Sequence, residues 1–259
     1  MRQQSIEKSF TLQGIGLHSG KPCKVVVSPA KESSGIVLNN APAIAAQVGK
    51  TNRGTTVAGV AVTEHFLAAA YGLAIDNLMV QVEGGEFPAL DGSALAYVQA
   101  LQKAKIIEQA SEKKVLKVKS PLKVNEGERA LEALPYNGFK VCFMVDFPGI
   151  GEQKLEFDLE KNDFAAEIAP ARTVGYLKER EALKSQGLGL GASLENALVI
   201  GDKGYLNKPR FKDEIVRHKI LDLIGDLALL GRPIKAEIRA RKSGHRLNIE
   251  LARRILDNG

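Results

Sequence analysis

The chain has 259 residues, 44% apolar and 25% charged, a balance close to the globular average that excludes a disordered or fibrous protein. Its formal charge, 36 basic minus 30 acidic residues or +6, is modest and scattered, and with no Trp and only 5% aromatic residues it lacks the basic, aromatic-studded surface that nucleic acid requires; an acidic small molecule is the expected partner. No apolar run approaches the ~18–20 residues that span a bilayer, and the first residues lead into a strand-like segment without a signal-type apolar core, so a cytoplasmic protein without membrane insertion is expected.

A chain of this length fits one large domain or two of about 100–150 residues, and two compact halves are expected. Residues 10–27, FTLQGIGLHSGKPCKVVV, read as strand, turn, strand, with His18 in the turn. TEHFLAAAYGL from Thr63 reads as a short helix with a Thr N-cap, His65 in its first turn and Gly72 as its stop. NLMVQVEGG is a strand, and ALAYVQALQKA an amphipathic helix that closes the first half near residue 110. ASEKKVLKVKS mixes a charged linker with the first strand of a new unit, which sets the expected domains at 1–112 and 113–259. GFKVCFMVDF is a strand. DEIVRHKILDLIGDLALLG is a long helix with acidic residues at its start, Gly231 at its end and Pro233 just beyond. KAEIRARK is a strand, Ser243-Gly244-His245 a loop, and RLNIELARRIL an amphipathic helix. Cys23 and Cys142 match no metal or redox spacing and read as buried reduced thiols in strands.

The order helix, strand, Gly loop, helix occurs twice. It implies a duplicated α+β unit, two similarly folded two-layer sandwiches with the two His-bearing helix starts brought together at their interface. Within the long helix, His218, Asp222 and Asp226 fall four apart on one stripe, while Ile220, Leu221, Leu223, Ile224, Leu227, Leu229 and Leu230 cover the rest. Burying two unpaired carboxylates there would cost several kcal/mol, a cost that a bound cation offsets. His218 and Asp222 at i and i+4 reach one ion, and His65 is the natural third ligand of a catalytic zinc site among only four histidines. The same spacing also suits a local ion pair, and Glu64 is either a base beside the metal or an ordinary acidic residue in a helix first turn.

The motifs GIGLHSG at 14–20, TEH at 63–65, LDGSA at 90–94, ART at 171–173, GLGLGASLENALV at 187–199, RHKILDLIGDLALLG at 217–231 and KSGH at 242–245 run the length of the chain. In this order they closely resemble the UDP-3-O-acyl-N-acetylglucosamine deacetylases of lipid A biosynthesis. The resemblance implies a cytoplasmic, monomeric Gram-negative enzyme that hydrolyses the substrate's acetamide at the committed step of that route. It implies one Zn2+ per chain, with Fe2+ as the ion a cell could load instead, held by His65, His218 and Asp222. Glu64 would be the general base, and His245, protonated and held by Asp226, would serve the oxyanion or the leaving amine, with Lys219 and Thr173 completing the oxyanion environment. His18 and Lys219 are the candidates for the nucleotide diphosphate, Asp146 and Phe147 for the sugar or uracil, and an insert near 175–202 for the acyl chain. Three departures stand out: Val174 follows ART where the family often has Phe, the segment before TEH is short, and Thr63 precedes Glu64 and His65 where Val is more usual.

Overall fold

The computed structural model describes residues 1–258. The first half opens with strands β1 (Arg2–Ile6), β2 (Phe10–Ile15), β3 (Pro22–Pro29), β4 (Ile36–Leu38) and β5 (Ala41–Pro42). Helix α1 (Glu64–Gly72), strand β6 (Leu78–Glu83), helix α2 (Leu95–Lys103) and strand β7 (Ile106–Glu112) follow. The second half has β8 (Leu116–Lys117), β9 (Leu122–Glu126), β10 (Arg129–Leu134), β11 (Phe139–Phe147), β12 (Gly151–Asp158) and the short helix α3 (Phe164–Glu167). It continues with β13 (Val174–Tyr176), α4 (Arg180–Ser185), β14 (Leu198–Gly201) and β15 (Gly204–Tyr205), and ends with α5 (Glu214–Leu227), β16 (Ile234–Arg241) and α6 (His245–Asn258). None of the described helices is long and apolar enough to cross a membrane.

This is an α+β fold in which one topology appears twice. The first main sheet has the order β2-β3-β6-β4-β5, and the second runs β9-β10-β16-β11-β12 with β8 added alongside the start of β16. In each, two hairpins flank a strand that arrives later in the chain, antiparallel to one hairpin (β3 with β6, β10 with β16) and parallel to the other (β4 with β6, β11 with β16). A helix precedes that central strand and another follows it in both halves. The order expected from sequence is thus present, although β4 and β5 are too short to carry a readable alternation.

Strand alternation builds the core. Phe139, Val141, Phe143 and Val145 of β11 turn inward, as do Val25 and Val27 of β3. The same alternation corrects the reading of Cys142. Cys23 is buried, but Cys142 faces the polar side of β11, its thiol 3.4 Å from Glu156 Oε2 and 3.8 Å from Glu237 Oε1. The expected charged linker is also shorter than the sequence suggested, because residues 110–112 belong to β7, which pairs with β1. The stretch expected as an insert, together with residues just beyond its end, forms a small sheet over residues 174–205, β13-β14-β15, with α4 in the same segment.

Helices α1 and α5 pack on each other and are buried almost all round, while α5 also lies on β11 and β12. Their contact depends on Gly225, where a Cβ would lie 2.0 Å from the Glu64 carbonyl oxygen. A backbone oxygen cannot swing aside as a side-chain end does. Gly225→Ala is therefore expected to destabilise the fold by about 1–3 kcal/mol despite alanine's better helix propensity. Thermal unfolding checks this: a Tm lower by about 2–10 °C is expected, and an unchanged Tm rejects the tight crossing. Gly72 has a similar reason for being glycine, because a Cβ there would lie 2.3 Å from the Phe164 ring. It ends α1 as expected, but as its last residue rather than as a left-handed stop. Gly231, with φ 72°, does close the α5 segment in the left-handed region.

Candidate metal centre and catalytic cleft

Three buried side chains from both halves meet where α1 crosses α5. His65 in the first turn of α1 faces His218 and Asp222 of α5, with one donor atom from each lying within 4.8 Å of the others. His218 Nε2 is 3.3 Å and His65 Nε2 3.8 Å from Asp222 Oδ1. An ion about 2.1 Å from each of three tetrahedral donors would hold them roughly 3.4 Å apart, close to the 3.3 and 3.8 Å seen for Asp222, so the cluster could share one divalent ion. Burial, with His218 nearby, drives the His65 imidazole down to about 3, and burial also keeps His218 below its ordinary value. Both rings thus keep a lone pair for a metal. The Ala171 carbonyl engages His218 Nδ1 at 3.1 Å, which leaves Nε2 facing the cluster. Burial disfavours the Asp222 carboxylate, yet His218 and Lys219 overcome that and hold its carboxyl far below the usual range. Two imidazoles and one carboxylate are a donor set that suits a divalent metal and leaves a coordination position open.

Glu64 also contributes to a second possible group, with Asp222 and His245. That group is the poorer metal site. Burial opposes a charge on His245, but Asp226, Asp222 and Glu64 together raise the imidazole to about 9, so at neutral pH it carries a proton instead of offering a lone pair. Burial pushes the Glu64 carboxyl up to about 7, against the opposing pull of His245. The two groups face each other across the donor cluster: His245 Nε2 lies 4.0 Å from Glu64 Oε1 and 3.9 Å from Asp222 Oδ2.

The supporting contacts come from the recurrent motifs. Asp226 Oδ2 accepts His245 Nδ1 at 2.9 Å, the orientation expected from sequence, although His245 is the first residue of α6 and not part of the preceding loop. Lys219 Nζ donates to Asp222 Oδ2 at 2.7 Å. ART performs three tasks at once: Ala171 holds His218, Arg172 pairs with the buried Glu214 at the start of α5 at 2.9 Å, and Thr173 lines the cleft. Thr173 is pinned through its own main chain, since its N–H donates to the Gly92 carbonyl and its carbonyl accepts from Leu198. Gly92, with φ 79°, has no room for a side chain, because a Cβ would overlap Asn196 O at 1.7 Å.

The cleft above the cluster encloses about 670 Å³. His18, Asp146, Phe147, Thr173 and Lys219 all line it, together with Glu64, His65, His218, Asp222 and His245. Asp226 stays behind the wall, fully buried. His18 presents no free nitrogen to the cleft: Nε2 lies 3.0 Å from the Arg53 carbonyl and Nδ1 accepts from Gly189 N–H at 3.3 Å. Phe147 stacks on Tyr176 with ring centres 6.0 Å apart, and Asp146 pairs with Lys242 at 3.3 Å.

Sequence reading passed over Thr55, Glu86 and Asn248. Glu86 is buried and accepts both the His18 and Ser19 N–H groups, fixing the turn that carries His18. Asn248 donates to Asp226 Oδ2 at 2.8 Å, and its signal was readable: a polar residue on the buried face of amphipathic α6, three positions after His245. Thr63, expected to cap α1, has helical angles and caps nothing; its hydroxyl donates to the Thr55 carbonyl at 3.0 Å.

Residues 3–257 match the family model described as UDP-3-O-acyl N-acetylglycosamine deacetylase, LpxC. The chain belongs to this family. Among its relatives, a protein of Nitratidesulfovibrio vulgaris named UDP-3-O-acyl-N-acetylglucosamine deacetylase is 42% identical, over 100% of this chain and 89% of its own length. Proteins of the same name from Citrifermentans bemidjiense (41% identical, 98% of this chain, 88% of theirs) and Histophilus somni (39%, 100% and 91%) match as fully. The family resemblance carried by the seven sequence motifs is therefore borne out; six of them line one cleft, and the seventh, LDGSA, supports it through the Gly92 carbonyl that accepts the Thr173 N–H.

Proposed function

We propose that this protein is a cytoplasmic, zinc-dependent deacetylase that hydrolyses the acetamide of UDP-3-O-(3-hydroxyacyl)-N-acetylglucosamine, giving UDP-3-O-acyl-glucosamine and acetate. The observation that carries the proposal is a metal-type donor cluster with a carboxylate base and a protonated imidazole facing each other over it. His65, His218 and Asp222 would hold one ion per chain. Zinc bound there supplies a Lewis acid that polarises the acetamide carbonyl and lowers the pKa of a water. Glu64 has one carboxylate oxygen tied to the Thr55 N–H, so Oε1 is left to take a proton from the attacking water. His245 Nε2–H donates to the developing oxyanion and passes its proton to the leaving amine as the C–N bond breaks. Lys219 and Thr173 border the same oxyanion. Water thus adds to the carbonyl carbon, the amine leaves protonated and the acyl group leaves as acetate.

The substrate assignment draws on family membership and on the volume and lining of the cleft. Phe147 and Asp146 would lie beside the sugar or uracil, and Lys219 near the diphosphate. His18, whose nitrogens are engaged by main-chain groups, would offer its ring to the cleft and join the first half to the 175–202 insert, the wall of an acyl passage. The halves 1–112 and 113–259 would be two domains sharing this cleft in a monomer. A direct assay tests the proposal: purified protein with its metal quantified is given the nucleotide substrate, or analogues lacking either the UDP or the acyl chain, and acetate is measured. Release from the full substrate, strongly reduced for both analogues, is expected. Equal turnover of the analogue without UDP would sink the substrate assignment, and no release at all would sink the activity.

A further inference from the structure

Thr55 is fully buried in the loop before α1 and belongs to no motif, yet each of its polar atoms is used. Its N–H donates to Glu64 Oε2 at 2.9 Å and its hydroxyl donates to Asp226 Oδ1 at 2.5 Å. Its carbonyl accepts the N–H and hydroxyl of Thr63 at 3.1 and 3.0 Å, which fixes the residue from behind. Asp226 in turn spends Oδ2 on His245 Nδ1 and Asn248 Nδ2. A continuous path therefore runs from the Glu64 carboxylate through the Thr55 backbone and hydroxyl to Asp226 and on to the His245 ring.

We propose that Thr55 is the positioning residue that sets the catalytic base of the first half in register with the imidazole acid of the second. The proposal rests on the deacetylase reading for its catalytic meaning. Glu64 rides on α1 and His245 on α6, elements from different halves whose side chains must keep a fixed separation for proton transfer. The Thr55 hydroxyl ties Asp226 Oδ1 and thereby sets the plane of the carboxylate, aiming Oδ2 at His245 Nδ1. The Thr55 N–H ties Glu64 Oε2 and thereby turns Oε1 to the cleft. Neither tie reaches the metal ligands, so the residue acts on proton transfer and leaves metal binding alone.

Thr55→Val keeps the size and the N–H but removes the hydroxyl, whereas Thr55→Ser restores it. In the metal-loaded enzyme, Thr55→Val is expected to lower kcat by about 10–100-fold, the usual cost of losing a partner one step behind a site, with KM and bound metal unchanged. Thr55→Ser is expected to stay near wild type. A second readout needs neither metal nor turnover: in metal-free protein with 15N-labelled histidine, the His245 Nδ1–H resonance is expected to shift or broaden in Thr55→Val and to persist in Thr55→Ser. Wild-type kcat in Thr55→Val, or a Thr55→Ser variant as slow as Thr55→Val, would overturn the proposal. If wild-type protein releases no acetate while the resonance responds as described, the deacetylase reading fails and the coupling stands. If Thr55→Val does not fold, Thr55→Ser decides: kept kcat and kept resonance support the coupling, and loss of either rejects it.

Discussion

Glu64→Gln is expected to lower kcat for acetate release by about 10²–10⁴-fold while the bound metal stays near one per chain. Glutamine has the shape of glutamate and its amide oxygen can still accept the Thr55 N–H, so the packing of α1 against α5 survives. What disappears is the oxygen at 4.0 Å from His245 that, in the proposed reaction, would take the water's proton. The pH profile carries the same argument with a defined sign. Burial raises the Glu64 carboxyl to about 7, and only its ionised form is a base, so kcat/KM falls as pH drops through that limb. His245, raised to about 9, must keep its proton, so activity falls again as pH rises through that value. A bound dication stabilises the carboxylate and disfavours the imidazolium, which moves both limbs downward without reversing either. The expected profile is a bell with its acid limb at or below about 7 and its alkaline limb at or below about 9. His245→Gln should erase the alkaline limb and leave the acid one. Comparable turnover in Glu64→Gln and wild type would remove the carboxylate from the mechanism.

The parts of this site that were legible in the sequence are those governed by a fixed period. His218, Asp222 and Asp226 declared themselves because a helix repeats every 3.6 residues, and apolar residues on every other face left a single buried polar stripe. His65 could be joined to them through the repeated order of elements, which here reflects two sheets of equal topology, through the small number of histidines and through the TEH motif of the family resemblance. Glu64 was ambiguous by itself, since the helix dipole alone favours an acid in a first turn. Thr55 and Glu86 were invisible for a different reason: they lie outside regular elements, where no period exists, and each acts through hydrogen bonds to residues far away in the chain, Asp226 in one case and His18 in the other. Cys142 was misplaced because the sequence gives a strand's alternation without stating which face is inward until its partners are known. An insert near 175–202 was implied by the family resemblance alone; the three-stranded sheet that forms there depends on pairing between β13 and β14 across a helical excursion, which short strands do not announce.

Asp222→Ala is expected to do more damage than the loss of either proposed proton-transfer group, because it would remove a proposed ligand and, with it, the carboxylate that Lys219 and the two histidines surround. Metal affinity should fall by more than the ~10–100-fold that losing an outer partner costs, and turnover should be undetectable. Lys219, which donates to Asp222 at 2.7 Å, would be left beside two histidines with no anion between them. Wild-type protein stripped by a chelator should likewise be inactive, yet recover fully when one equivalent of Zn2+ per chain is returned, whereas excess Zn2+ should not rescue Asp222→Ala. Stability provides an independent reading through linkage: zinc at 100 times its Kd stabilises the protein that binds it by about 2.7 kcal/mol, so Tm should rise on zinc addition in wild type and Glu64→Gln but not in Asp222→Ala. The contrast also separates a catalytic ion from a structural one. A structural zinc is closed by four protein ligands, whereas three donors and an adjoining cleft leave a position for water and substrate, so metal-free protein should stay folded. If the stripped wild type keeps its turnover, His65, His218 and Asp222 are not a metal site but two neutral imidazoles beside a carboxylate charge-paired with Lys219, and the acetamide must be activated by Lys219 and His245 alone.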